Sequence, residues 1–81
     1  MTEIYVSLTC PFCMKVMRAA EEMGLTEGKD YVIVDAAPGT PGRKKVVDTG
    51  GKSMVPFLMD GEHWMYESDD IIGYLRSKFD A

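Results

Sequence analysis

Cys10 and Cys13 are the only cysteines of the chain, and Pro11 and Phe12 are all that separates them. Thiols at this spacing can exchange electrons with a disulfide through a mixed-disulfide intermediate, or supply half of a zinc site. Zinc needs further ligands, and His63 is the sole histidine, so no metal site is expected. The roles of the two sulfurs depend on what surrounds them. Pro11 suits the first turn of a helix, where its missing N–H costs nothing, and residues 14–22 continue with helical periodicity. Cys10 therefore stands at a helix N-terminus, where unpaired N–H groups and the positive end of the dipole favour the reactive thiolate. Cys13 lies one turn inside, on an apolar stripe with Val16, Met17 and Ala20 at i, i+3, i+4 and i+7. This predicts Cys10 as the nucleophile, Cys13 as the buried resolving thiol, and Phe12 as an exposed aromatic contact for the substrate.

The elements that must hold this pair can be read from the rest of the chain. Before it, Ile4, Val6 and Leu8 alternate with Glu3, Tyr5 and Ser7, a period-2 pattern that reads as a strand over residues 3–8. Gly24 is a plausible helix stop. Tyr31-Val32-Ile33-Val34 is a continuous apolar run, as in a strand buried on both faces. Strand, helix and strand at this spacing make a parallel unit with a right-handed crossover. Thr40 and Pro41 open a second helix as N-cap and first residue, and Gly50-Gly51 closes it. Arg43, Lys44 and Lys45 on that helix are either a solvated face or a dock for an anionic substrate group. Asp60-Gly61 between two strand-like runs predicts a tight hairpin, with Pro56 at the start of its first strand. Ser68 is the expected N-cap of a last helix, whose apolar face is Ile71, Ile72, Leu75 and Phe79. The order β-α-β-α-β-β-α predicts an α/β sandwich, a four-stranded mixed sheet with helices on both faces.

Composition narrows the function. The chain has 81 residues, 46% of them hydrophobic and 27% charged, as in one folded domain. A net charge of −4 disfavours nucleic acid as a partner. No apolar run approaches the roughly 20 residues of a membrane span. The first residues read as a strand and not as a basic, apolar leader, so a cytoplasmic protein is expected. In that reducing compartment two cysteines point to catalysis more than to a structural bridge.

Three motifs at matching positions carry a resemblance that covers nearly the whole chain. Cys10-Pro11-Phe12-Cys13 resembles the Cys-Pro-Tyr-Cys of glutaredoxins, with Phe for Tyr. Met54-Val55-Pro56 resembles their Thr-Val-Pro, and Ser68-Asp69-Asp70 resembles their Cys/Ser-Asp-Asp segment. The resemblance implies a single glutaredoxin-like domain of thioredoxin-like fold over residues 1–81. It also implies a cis proline at Pro56, with Val55 beside Cys10 to pair with a peptide-like substrate. Ser68 and Asp69 would hold the γ-glutamyl end of glutathione. Two departures stand out. No basic residue precedes Cys10 in Ser7-Leu8-Thr9, so Arg43 and Lys52 become the candidates for the glycine carboxylate. Glu67-Ser68 is similar to the Glu-Ser segment in the N-terminal domain of glutathione transferases, whose helical second domain is not expected in this chain.

The implied activity is glutathione-dependent thiol–disulfide exchange, reducing protein disulfides or glutathione mixed disulfides. Glutathione would be the reductant, no cofactor would be bound, and the protein would be a monomer. The alternatives are a thioredoxin-like electron donor served by a flavin reductase, an iron–sulfur carrier bridging two Cys10 thiolates, and a redox-inert glutathione-binding module. Pro11 directly after Cys10 argues against the cluster carrier.

Overall fold

The protein was analysed as a computed structural model, which describes residues 2–79. Its elements are β1 (Thr2–Val6), α1 (Pro11–Glu22), β2 (Tyr31–Asp35), α2 (Pro41–Gly50), β3 (Phe57–Asp60), β4 (His63–Tyr66) and α3 (Ser68–Phe79). The strands form one mixed sheet in the order β2-β1-β3-β4. β1 runs parallel to β2 and antiparallel to β3, and β4 returns antiparallel to β3. This is the α/β sandwich expected from the element order.

Helices cover both faces of the sheet. On one face Cys13, Val16 and Ala20 of α1 and Ile71 and Leu75 of α3 meet Ile4, Val6, Tyr31 and Leu58. On the other, Val46 of α2 and Ala36 close over Tyr5 and Phe57. Each fully buried Ile, Leu, Val or Phe contributes about 1.5–3 kcal/mol over an exposed one, so the first, larger cluster dominates the stability.

Two sequence expectations, the length of β1 and the burial of β2, are overturned. β1 is an interior strand with helices over both faces, and Tyr5 is buried against Phe57 and α2. Leu8, expected within the strand, lies beyond the end of β1 at Val6 and is 79% exposed. β2 is an edge strand, so Val32, Ile33 and Val34 are only half-buried and Asp35 is exposed, unlike a strand covered on both faces. The apolar run reflects β-propensity more than burial.

Local signals set the helix ends. α1 closes with the Gly24 N–H on the Glu21 carbonyl and the Leu25 N–H on the Ala20 carbonyl, at 2.9 and 3.1 Å, and Gly24 has φ 80°. α2 starts as predicted, with the Thr40 hydroxyl accepting the Arg43 N–H at 3.2 Å. The hairpin turn falls one residue later than expected. Asp60 pairs with His63, leaving Gly61-Glu62 as the turn. Asp60 is kept in β3 because Tyr74 and Lys78 of α3 both hold its carboxylate, at 2.5 Å each.

Candidate functional site

Cys10 is the N-cap of α1, with extended backbone (φ −98°, ψ 116°), and its side chain makes no capping bond. Pro11 at the next position demands no partner for a missing N–H, so the sulfur is left available for chemistry. Cys10 is half-buried and unbridged. Its thiol can donate to the Val55 carbonyl, 3.7 Å away. Cys13 is fully buried and also unbridged. The Ser7 N–H donates to its sulfur at 3.5 Å. Burial pushes the Cys13 thiol up to about 11. The neighbouring Cys10 side chain acts the same way, while the Ser7 N–H and the Arg43 charge oppose the rise. One sulfur is therefore reachable and the other is held protonated beneath it.

The Val55–Pro56 bond is cis. Val55 and Pro56 line a cavity of about 260 Å³ with Phe12, Met54, Ser68 and Asp69, and with Lys15 and Glu67. Phe12 and Met54 are 60% and 45% exposed, giving the cavity an apolar rim. Pro11 lines a neighbouring groove between α1 and α3, which also includes Lys15 and Asp69.

Ser68 is the first residue of α3 and not its cap. The Ile71 N–H bonds the Glu67 carbonyl at 3.0 Å, which gives Glu67 the cap position. Glu67 has φ 74°, the only positive φ of a non-glycine among the described residues. A residue with a Cβ pays about 1–2 kcal/mol there, and such strain concentrates at ligand sites. The turn carries Ser68 and Asp69 to the cavity, where the first N–H groups of a helix lack intrahelical partners. Together they offer donors for a carboxylate and a carboxylate for an ammonium.

Arg43 and Lys52 are not among the residues lining this cavity. The Arg43 guanidinium donates through Nε to the Ala36 carbonyl at 2.8 Å and through Nη1 to the Ser53 carbonyl and hydroxyl at 3.2 and 3.0 Å. Lys52 is exposed, its ammonium 6.0 Å from the centre of the Tyr66 ring. The cation that does line the cavity is Lys15, whose Nζ pairs with Asp69 Oδ1 at 2.6 Å. Sequence reading gave Lys15 no place in the site, since it falls off the apolar stripe of its helix. Which neighbour it meets depends on how α1 and α3 pack, and no local pattern encodes that.

Among the described residues no group of three or more His, Cys, Asp or Glu could hold a metal ion. Nor is any helix among them long and apolar enough to cross a membrane.

A strand leading to a helix-capping cysteine, opposed by a cis proline at the start of a hairpin, defines a thioredoxin-like domain. Within that class, residues 4–81 match the family model of the glutathione S-transferase N-terminal domain, and the chain belongs to that family. No curated protein matches the chain. Among solved structures it is similar to glutathione transferase Omega 3C from Trametes versicolor, at 22% identity and a TM-score of 0.81, over 98% of this chain and 34% of that one. It is 29% identical to Leishmania TDR1, described as a trimeric glutathione transferase, with a TM-score of 0.77, over 96% of this chain and 17% of that one. A glutathione S-transferase-I bound with lactoylglutathione is 26% identical, with a TM-score of 0.76, over 96% of this chain and 36% of that one. The chain thus spans about a third or less of the length of these structures.

Proposed function

We propose that this domain is a glutathione-dependent thiol–disulfide oxidoreductase acting through Cys10 and Cys13. The observation that carries the reading is the pairing of a reachable helix-capping sulfur, 3.7 Å from the Val55 carbonyl, with a second, fully buried thiol one turn below. A site built to activate glutathione for attack on an electrophile needs no second thiol.

The reaction balances with these two thiols and glutathione. The Cys10 thiolate attacks one sulfur of a substrate disulfide, forming a mixed disulfide and releasing the other sulfur as a thiolate. Cys13 then loses its proton and attacks Cys10 Sγ. The Cys10–Cys13 bond forms, the bond to the substrate breaks, and the substrate leaves fully reduced. Two glutathione molecules return the two electrons: the first opens the Cys10–Cys13 bond, and the second releases glutathione disulfide. A glutathione mixed disulfide needs only Cys10 and external glutathione.

Within this reading Val55 pairs with the backbone of the bound peptide. The α-carboxylate of the γ-glutamyl group goes to the start of α3 at Ser68, and its ammonium to Asp69. Phe12 and Met54 contact the substrate beside the reacting sulfurs. One chain supplies every group, so a monomer in a reducing compartment suffices.

The test separates the two thiols. Cys10→Ser should abolish all exchange. Cys13→Ser should stop reduction of protein disulfides and keep removal of glutathione from a mixed disulfide. If Cys13→Ser loses both, the assignment of roles fails. Reduction of a protein disulfide should be supported by glutathione with its reductase. Turnover only with a thioredoxin reductase would favour the thioredoxin-like donor.

A further inference from the structure

Arg43 joins three segments of chain that the sequence keeps apart. Its backbone is in the first turn of α2, its Nε holds the Ala36 carbonyl after β2, and its Nη1 holds the carbonyl and hydroxyl of Ser53. Ser53 begins the short loop that continues through Met54 to Val55, and the Val55 carbonyl is the one that faces Cys10 Sγ. Arg43 as a residue is half-buried, its Nη1 bonds to Ser53 are exposed, and charge-assisted bonds of this kind are about twice as strong as neutral ones. In direction, the Arg43 charge also opposes the effect of burial on the Cys13 thiol, as the smallest of the influences on it.

We propose that Arg43 is a positioning residue for the dithiol. It fixes the Ser53–Val55 edge against Cys10, and so speeds the step in which Cys13 displaces the partner from Cys10. This rests on the thiol–disulfide reading above. In that step the Cys13 proton passes to solvent, the Cys13–Cys10 bond forms, and the partner leaves as a thiolate. Both demands of the step are geometric and electrostatic. The mixed disulfide must lie in line with Cys13, and a displacement of 1 Å in such an arrangement can cost about a hundredfold. A thiolate must also form in a buried place, where a fixed cation favours it.

The experiment follows closure of the Cys10–Cys13 bond in the full chain by rapid acid quench and mass spectrometry. Reduced protein is mixed with excess bis(2-hydroxyethyl) disulfide or with excess glutathione disulfide, from pH 6 to pH 10. Closure in Arg43→Met should slow about tenfold with both disulfides, and its pH profile should move to higher pH. Arg43→Lys keeps the charge without the fork, so it should recover the wild-type pH profile but not the full rate. It also carries the test if Arg43→Met does not fold. Wild-type closure in Arg43→Met with both disulfides would overturn the proposal, as would full recovery of the rate in Arg43→Lys. Slowing confined to glutathione, the one leaving group with carboxylates, would make Arg43 a ligand cation instead. If wild-type protein never closes the bond, the thiol–disulfide reading itself fails, whatever Arg43 does.

Discussion

The buried thiol of Cys13 should make the reduced protein lose stability in alkali, and Cys13→Ala should remove that loss. Folding raises this thiol from 9.0 to about 11, with burial as the largest cause. Below pH 9 the thiol is protonated in both folded and unfolded chains, and its contribution is fully present. Between pH 9 and 11 the unfolded chain sheds the proton and the folded one keeps it, so stability falls as pH rises. Two units at 1.36 kcal/mol each make about 2.7 kcal/mol. Against a total of about 5–15 kcal/mol this is a large fraction. Tyr5 is also pushed up, to about 12, by burial and then by its hydrogen bond to Glu3, and Tyr31 and Tyr74 are raised as well. These groups titrate in both proteins and cancel in the difference. The assay is urea unfolding of reduced wild type and Cys13→Ala at pH 8, 9, 10 and 11. With an m-value of about 1 kcal/mol/M for so small a chain, the gap between the two midpoints should shift by about 2–3 M in favour of the variant. A gap that stays constant from pH 8 to 11 would refute the reasoning, since it would mean that Cys13 titrates like a free thiol.

Other outcomes follow from single contacts. The Asp60 carboxylate is held below the usual range, first by the Lys78 hydrogen bond and then by that of Tyr74. Its contribution is present above about pH 4 and is lost as pH falls through the lower folded value. Asp60→Asn should therefore flatten the acid limb of the Tm–pH curve, and identical limbs below pH 4 would count against the network. Gly42 packs against β2 so closely that an added Cβ would collide with the Asp35 carbonyl oxygen and lie 3.3 Å from the Ala36 Cα. Because the obstacle is backbone, Gly42→Ala should cost about 1–3 kcal/mol and lower the Tm by at least about 4 °C. A Tm within 1 °C of wild type would mean that α2 is free to shift. Lys15 is the cation of a cavity that also holds Glu67 and Asp69, so Lys15→Met should raise the KM for glutathione. An exposed pair is worth about 0–1 kcal/mol, which limits the rise to about fivefold, and the difference should shrink with added salt. An unchanged KM at low salt would remove Lys15 from the site.

Much of the site was legible because its signals are local. Cys10, Pro11 and Cys13 occupy adjacent positions whose helix-start chemistry does not depend on the rest of the fold. The Gly24 and Thr40 signals also act within a turn of themselves, and both appear where predicted. The sequence also carried the resemblance to the glutathione transferase N-terminal domain, through Glu67-Ser68, and the family match bears it out.

Other features exist only once the chain is folded. Whether β1 or β2 lies inside the sheet is decided by the crossover and the hairpin together, and that choice buries Tyr5 and leaves Ile33 half-covered. The hairpin moved by one residue because Tyr74 and Lys78, well beyond it in sequence, hold Asp60 in β3. Lys15 meets Asp69 across 54 positions, and Arg43 reaches Ser53 ten positions on. Long side chains have no spacing rule that reveals their partners, because they reach across elements whose packing is cooperative. The sequence by itself determined the order of the elements and the placement of the two sulfurs at a helix start, since both rest on propensity and neighbouring backbone. The tertiary structure decided which residues surround those sulfurs, since that depends on contacts between elements distant in the chain.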